Sequence, residues 1–302
     1  MIARGLQHRT RPESAVAILR APGYESDLAD TVERGVRLFH RSLDGQTVVL
    51  KPNLVEHDPH GVINTHPAVI AAAIDAFRRL GARRIVVAEG PGHRRDTEYV
   101  LRSSGLLEVL RERRVPYVDL NVDAVRRVKI AAGFTKLGYL YLPETVLGAD
   151  LLVSMPKLKT HHWAGVTLSM KNFFGVIPGG VYGWPKNVLH HAGIDRSILD
   201  ITSTLPMPKF AIVDAIVGME GDGPIHGRAR DVGALVFGDD LVAVDATATR
   251  LMGLVPEKVA HLAGAGFLGN VDSGRIAEAA EPLDELRQAF DVVPRFKRLR
   301  GG

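Results

Sequence analysis

The chain has no cysteine, which excludes disulfides, thiolate-bound zinc, a cysteine nucleophile and an iron–sulfur cluster held by cysteine. Any metal must therefore sit on His, Asp, Glu or carbonyl oxygen. No apolar run is long enough to span a bilayer, and the start "MIARGLQHRTRPESAVAILRAP" lacks the apolar core of a signal peptide. The expectation is a soluble, cytoplasmic protein with no membrane partner. Aromatic residues make up only 6%, and the net charge is small, +4 from 38 basic and 34 acidic residues. The basic residues are scattered over helical faces such as "DAFRRLGARR" and "VLRERR", so no nucleic-acid partner is expected. The tail "RFKRLRGG" is the one compact basic run, and it reads as a frayed terminus.

What is present is enough apolar sequence, 46% of 302 residues, to bury a full core. Apolar runs of strand length lie at 14–21, 47–53, 83–90, 115–120, 149–157, 209–218 and 232–240. Several are continuously apolar, the mark of strands buried on both faces. Helical patterns fall between them at 67–81, 97–113, 195–205 and 239–253. This alternation predicts an α/β fold, a largely parallel sheet flanked by helices. The polar stretch at 121–138 either divides two lobes with a cleft between them or interrupts a single sheet fed by both halves.

Ligands of parallel sheets bind beyond the carboxyl ends of the strands, and the unusual residues fall there. Lys51 and Asn53 end one run, Glu89 another, and lysines and histidines follow a third in "LLVSMPKLKTHHWAGVTLSMKNFFGVIPGG". Three of the chain's ten lysines lie in that thirty-residue window, where composition alone would place about one. Lys157 and His161 share a face whether the segment is strand or helix. A lysine beside a histidine lowers the imidazole pKa and favours a neutral base. Lys171 lies between Met170 and the pair Phe173 and Phe174, where burial would depress its pKa unless an anion compensates. A second histidine pair, His190 and His191, precedes a helix for which Asp195 reads as the N-cap.

The loop "GMEGDGPIHG" is glycine-rich enough to wrap phosphate, and its Glu220 and Asp222 could ligate magnesium. Histidines 161, 162, 190 and 191 with Asp214 or Glu220 could instead form a His/carboxylate site for zinc, iron or manganese. Asp239 or Asp240 caps the last helical pattern, while Asp245, inside it among apolar residues, is unexpected. The chemistry expected is proton or hydride transfer on a small anionic metabolite bearing a carboxylate or carbonyl, of isomerase, lyase or cyclase type. In that reading His161, His162, Lys171, His190 and His191 are catalytic. Lys51, Asn53, His66, Lys157, Lys159 and Asn172 bind substrate, and a divalent metal would sit on Asp214, Glu220 and Asp222. The competing reading is a non-catalytic anion- or metal-binding protein.

The motifs "KPN", "THP", "VSMPKLKTH", "GVTLSMKNFFGVIP", "DAIVGMEGDGPIHG" and "DDLVAVDATATRLMG" occur in order over most of the chain. In them the chain resembles the family called domain of unknown function 362. That resemblance implies a cytoplasmic α/β protein; many members carry a cysteine-rich, ferredoxin-like segment, which this chain lacks. The order "HHWAGVTLSMKNFFGVIPGG" then "LHH" is also similar to the amino-terminal domain of the lactate racemase family, with some departure in spacing. That similarity implies acid-base roles for His162 and for His190 or His191, with His66 matching an earlier histidine-containing turn. It matches Lys171 to the lysine that holds a nickel pincer nucleotide in the racemases.

Overall fold

The continuously apolar runs do form the strands at the centre of the fold. The computed structural model describes residues 13–39, 43–59, 61–92, 96–184 and 186–301; the first twelve residues of the start read above lie outside them. In chain order the strands are β1 (Ser14–Arg20), β2 (Thr47–Pro52), β3 (Arg84–Glu89), β4 (Tyr117–Asp119), β5 (Val125–Lys129), β6 (Tyr139–Pro143), β7 (Leu151–Met155), β8 (Lys157–His161), β9 (Gly165–Thr167), β10 (Lys209–Glu220), β11 (Arg228–Gly238) and β12 (Ile276–Ala280). The main helices are α1 (Leu28–Arg37), α2 (Pro67–Arg79), α3 (Thr97–Ser103), α4 (Leu106–Glu112), α5 (Ser169–Asn172), α6 (Asn187–His191), α7 (Ile194–Thr204) and α8 (Leu241–Leu251).

The sheet runs β12-β1-β11-β10-β7-β2-β3-β4, with β8 and β9 attached beside β10. Along that path every strand is parallel except β11, which pairs antiparallel with β10 and β1. Alternation along each strand sends side chains to two cores. Ala17, Leu19, Val48 and Leu50 meet α1 and α2 through Val32, Val36, Ile70 and Phe77. Val16, Ile18 and Val49 meet α7 and α8 through Ile198, Ile201, Val242 and Val244.

The residues on either side of 121–138 feed one sheet, because β2 and β7 are paired from Val48 with Leu151 to Pro52 with Met155. The polar stretch itself holds β5, which pairs with β6 as a separate two-stranded sheet. Several sequence expectations shift for local reasons. The run at 149–157 is two strands: Pro156 has no N–H for a ladder, and beyond it β8 leaves β7's line to pair with β10 and β9. The helical pattern at 97–113 breaks at Gly105, whose φ is +77°. Asp195 is not the N-cap of α7; Gly193 is, and Asp195 lies inside the first turn, 3.2 Å from His261 Nδ1. The basic tail is not frayed, since Phe296 and Leu299 are buried and Arg300 donates to Phe290 O at 2.8 Å.

Phe77 is fully buried where α2 meets the sheet. Phe77→Ala is expected to destabilise the fold by about 3–5 kcal/mol, read as a lower urea midpoint with an unchanged slope.

Candidate functional site

The carboxyl ends of β2 and β3 bring Lys51 and Glu89 together as a closely spaced ion pair in which both side chains are almost fully buried. Lys51 Nζ also donates to Asn172 Oδ1 and to Pro52 O, each at 2.9 Å. The second oxygen of Glu89 accepts Gly90 N–H at 2.8 Å, and Leu54 N–H donates to the first at 3.2 Å. Gly175 lies directly on this pair: a Cβ there would collide with Glu89 Oε1 and Lys51 Nζ.

Asn172 ties α5 to the sheet. Its Nδ2 donates to Lys51 O at 3.0 Å and to Ser154 Oγ at 3.1 Å. The other end of α5 is held by Asp245, whose carboxylate accepts Ser169 N–H at 2.7 Å and Met170 N–H at 2.9 Å. Burial pushes the Asp245 carboxyl up to about 7, and these two donors only partly offset that. The unexpected acid of α8 is therefore the anchor of the helix that carries Lys171.

Three further lysines share the field of the pair. Lys186 is buried, donates to Gly90 O at 3.1 Å and Phe174 O at 3.0 Å, and burial lowers its pKa to about 7 against the pull of Glu89. Lys159 is fully buried and donates to Ile63 O at 2.8 Å; burial first, then Lys171 and Lys157, push it well below the usual lysine range. Lys171 is partly exposed, with Nζ 4.6 Å above the Phe174 ring. It has no hydrogen bond or ion pair among the described residues. Burial and the charge of Lys51 lower its pKa to about 8. Glu89 raises the pKa of Lys51, Lys171 and Lys186, and Asp119 adds a smaller pull on Lys186.

A row of rings runs beside these amines. His161 lies 5.2 Å from His162, His162 5.2 Å from Trp163, Trp163 5.5 Å from His190, and His190 5.2 Å from Phe174. Local hydrogen bonds set different tautomers at the two ends. His161 Nδ1 accepts the N–H groups of Trp163 (3.0 Å) and Ala164 (3.2 Å), so the neutral ring carries its proton on Nε2. His190 Nδ1 faces Lys186 O at 3.2 Å, so the neutral ring carries its proton there and leaves Nε2 as a base. Burial lowers both imidazoles, His161 the further. Among the charges acting on His161, Lys171 ranks ahead of its sequence neighbour Lys159.

The other expected residues fall into separate settings. Lys157 and Asp214 form a buried ion pair at 2.6 Å, with Tyr24 OH 2.8 Å from Lys157 Nζ. His66 stacks on Tyr24 at 3.7 Å, caps α2 by accepting Ala68 N–H at Nδ1, and donates its own backbone N–H to Asp214. Burial lowers its pKa. Asn53 ties β2 to Thr65 through its backbone, while its buried Oδ1 has no partner among the described residues. His162 is paired with Asp222 at 3.3 Å near the surface. His191 is exposed and makes no ring or polar contact among the described residues.

Of the glycine-rich stretch 218–227, residues 218–220 end β10 and pair with β11, and 221–227 connect the two strands. Glu220 accepts Asp291 N–H at 3.0 Å and lies 3.4 Å from Arg228. Asp214, Glu220 and Asp222 thus each have a different partner. Among the described residues no three His, Asp or Glu side chains gather as ligands for one metal ion. Toward the nickel nucleotide implied by the racemase similarity, Lys171 offers an amine with no hydrogen bond or ion pair among the described residues.

Sequence reasoning left out Lys186, Tyr24 and the role of Glu89. Glu89 was visible as a charged strand end. Lys186 gave no signal, because it lies in "GWPKN" at a left-handed φ of +67° that no periodicity reveals.

Glu89→Gln keeps the shape but leaves Lys51 as an unpaired buried charge, and is expected to cost about 3–5 kcal/mol in chemical denaturation. Asp245 holds its proton to higher pH when folded than when unfolded. Its contribution relative to Asp245→Asn should therefore fall as pH rises from about 4 to about 7 and stay level above that. Parallel denaturation of both proteins across this range checks the sign.

Comparisons with known proteins place this geometry. The chain is 28% identical over 293 residues to a thylakoid-associated protein of Synechocystis sp., a match covering 94% of this chain and 87% of that one. Among solved structures, lactate racemase apoprotein from Thermoanaerobacterium thermosaccharolyticum overlays with a TM-score of 0.48 at 14% identity, covering 85% of this chain. A protein from Thermotoga maritima overlays at 0.42 and 15% identity, covering 74%. The chain spans 57% of the length of each of those two structures. The family described as domain of unknown function (DUF362) matches residues 48–250, a span that runs from β2 to α8 and includes Lys51, Glu89, His161, Lys171, Lys186, His190 and Asp245. The chain belongs to that family.

Proposed function

We propose that the protein is an enzyme that moves a proton on a small anionic metabolite bearing a carboxylate or carbonyl group, as isomerases and lyases do. One observation carries the reading. Lys51 and Lys171 each act on Lys159 and Lys186, and Glu89 acts on all four, beside two neutral histidines of opposite tautomer. An excess of buried positive charge is costly unless an anion completes it. A passive anion site needs cations but no tuned imidazoles. Here His190 Nε2 is suited to take a proton, and the neutral His161 Nε2–H to donate a hydrogen bond to a substrate oxygen.

The proton transfers in this reading belong to side chains. A divalent cation on the separate carboxylates Asp214, Glu220 or Asp222 is a distinct proposal, for which elemental analysis of untagged protein before and after chelation is the check. We also place the protein in the cytoplasm. The thylakoid association named for the cyanobacterial relative belongs to that protein, and among the described residues no helix here is long and apolar enough to cross a membrane.

The test is solvent-deuterium incorporation at carbon, followed by NMR, over a panel of 2-hydroxy and 2-oxo acids in D2O. The expected result is catalysed wash-in for one member of the panel. His190→Phe should slow it roughly 10²–10⁴-fold, the usual worth of a positioned base, with little change in melting temperature. Binding without exchange for every compound would favour the non-catalytic anion-binding reading.

A further inference from the structure

We propose that Lys171 is the nucleophile of this site and forms a covalent iminium with the carbonyl carbon of a 2-oxo acid. The inference rests on the acid-base reading above and deepens it by naming the substrate class and the bond formed.

Elimination among the lysines carries the assignment. Lys51 is committed to Glu89, Asn172 and a carbonyl. Lys157 is committed to Asp214 and Tyr24. Lys159 and Lys186 each donate to two backbone carbonyls and are closed off from solvent. Lys171 alone of the five is partly open, and its amine has no hydrogen bond or ion pair among the described residues. It sits over the Phe174 ring, whose other neighbour is His190. An amine desolvated in an apolar wall next to another cation is the setting that makes a lysine nucleophilic. The depression of its pKa to about 8 agrees with that setting.

The chemistry balances without an outside oxidant or reductant. The lone pair of neutral Nζ attacks the carbonyl carbon, the carbonyl π pair moves to oxygen, and proton transfer from nitrogen to oxygen gives a carbinolamine. A proton added to its hydroxyl lets that oxygen leave as water while the nitrogen lone pair forms the C=N bond, giving the iminium. The iminium withdraws electrons from the adjacent carbon, whose proton can pass to His190 Nε2. Addition of water reverses the sequence and frees the amine.

The experiment is reductive trapping on the full chain with pyruvate and sodium cyanoborohydride, read by intact mass and peptide mapping. Oxalate serves as an anion of similar size that forms no iminium. The expected result is one adduct on Lys171, heavier by the mass of pyruvate less one oxygen. Oxalate should suppress it, and its formation should rise with pH and level off above about pH 8. Lys171→Arg should lose the adduct while oxalate still raises the melting temperature. An oxalate-induced rise in melting temperature with no adduct, or with the adduct on another lysine, overturns the nucleophile and leaves the acid-base reading standing. Absence of both adduct and oxalate stabilisation overturns the two together.

Discussion

The buried pair of Lys51 and Glu89 is the constraint on which the site depends. A lysine and a glutamate taken out of water recover the lost hydration only with good mutual geometry and with partners for their remaining donors and acceptors. Both conditions are met here, by Asn172, Pro52 O, Leu54 N–H and Gly90 N–H. The same carboxylate is also the main counterweight to Lys171 and Lys186. One acid thus serves several bases.

The elements around the pair are tied to one another by polar contacts. Asn172 pins α5 to β2 and β7, Asp245 pins its first turn to α8, and Gly175 lets the following turn lie directly on the ion pair. Each anchor is a short polar contact in a dry setting, where an unmade hydrogen bond is expensive. Lys171 is carried by this fixed turn, and its amine has no hydrogen bond among the described residues. Rigidity is supplied from behind this amine.

Much of this was legible in the sequence because burial leaves a pattern. Continuous apolar runs announced β2, β3 and β7, and the charged residues at their ends announced Lys51 and Glu89. Lys171 and Asn172 stood out against methionine and phenylalanine. What escaped was what depends on contacts between distant segments. Lys186 reaches Gly90 and Phe174 from a left-handed residue after a turn. Asp245 is 76 residues from the amide it holds at Ser169. The depression of His161 was foreseen, but its cause was read from sequence neighbours, whereas burial leads and Lys171 is the foremost charge. Five strands, β5, β6, β8, β9 and β12, were also missed; β9 is only three residues long, and β5 lies in a polar stretch with five largely exposed residues. Neither length nor periodicity separates such strands from loop.

Proton uptake on binding is the most direct test of the proposal that an anion binds among these lysines. Oxalate would be titrated calorimetrically near pH 8 in buffers of different ionisation enthalpy. An anion bound among amines lowered to about 8 and about 7 must raise their pKa values, so the account predicts net uptake of protons that diminishes toward pH 6. Binding without uptake, or no binding, would contradict it.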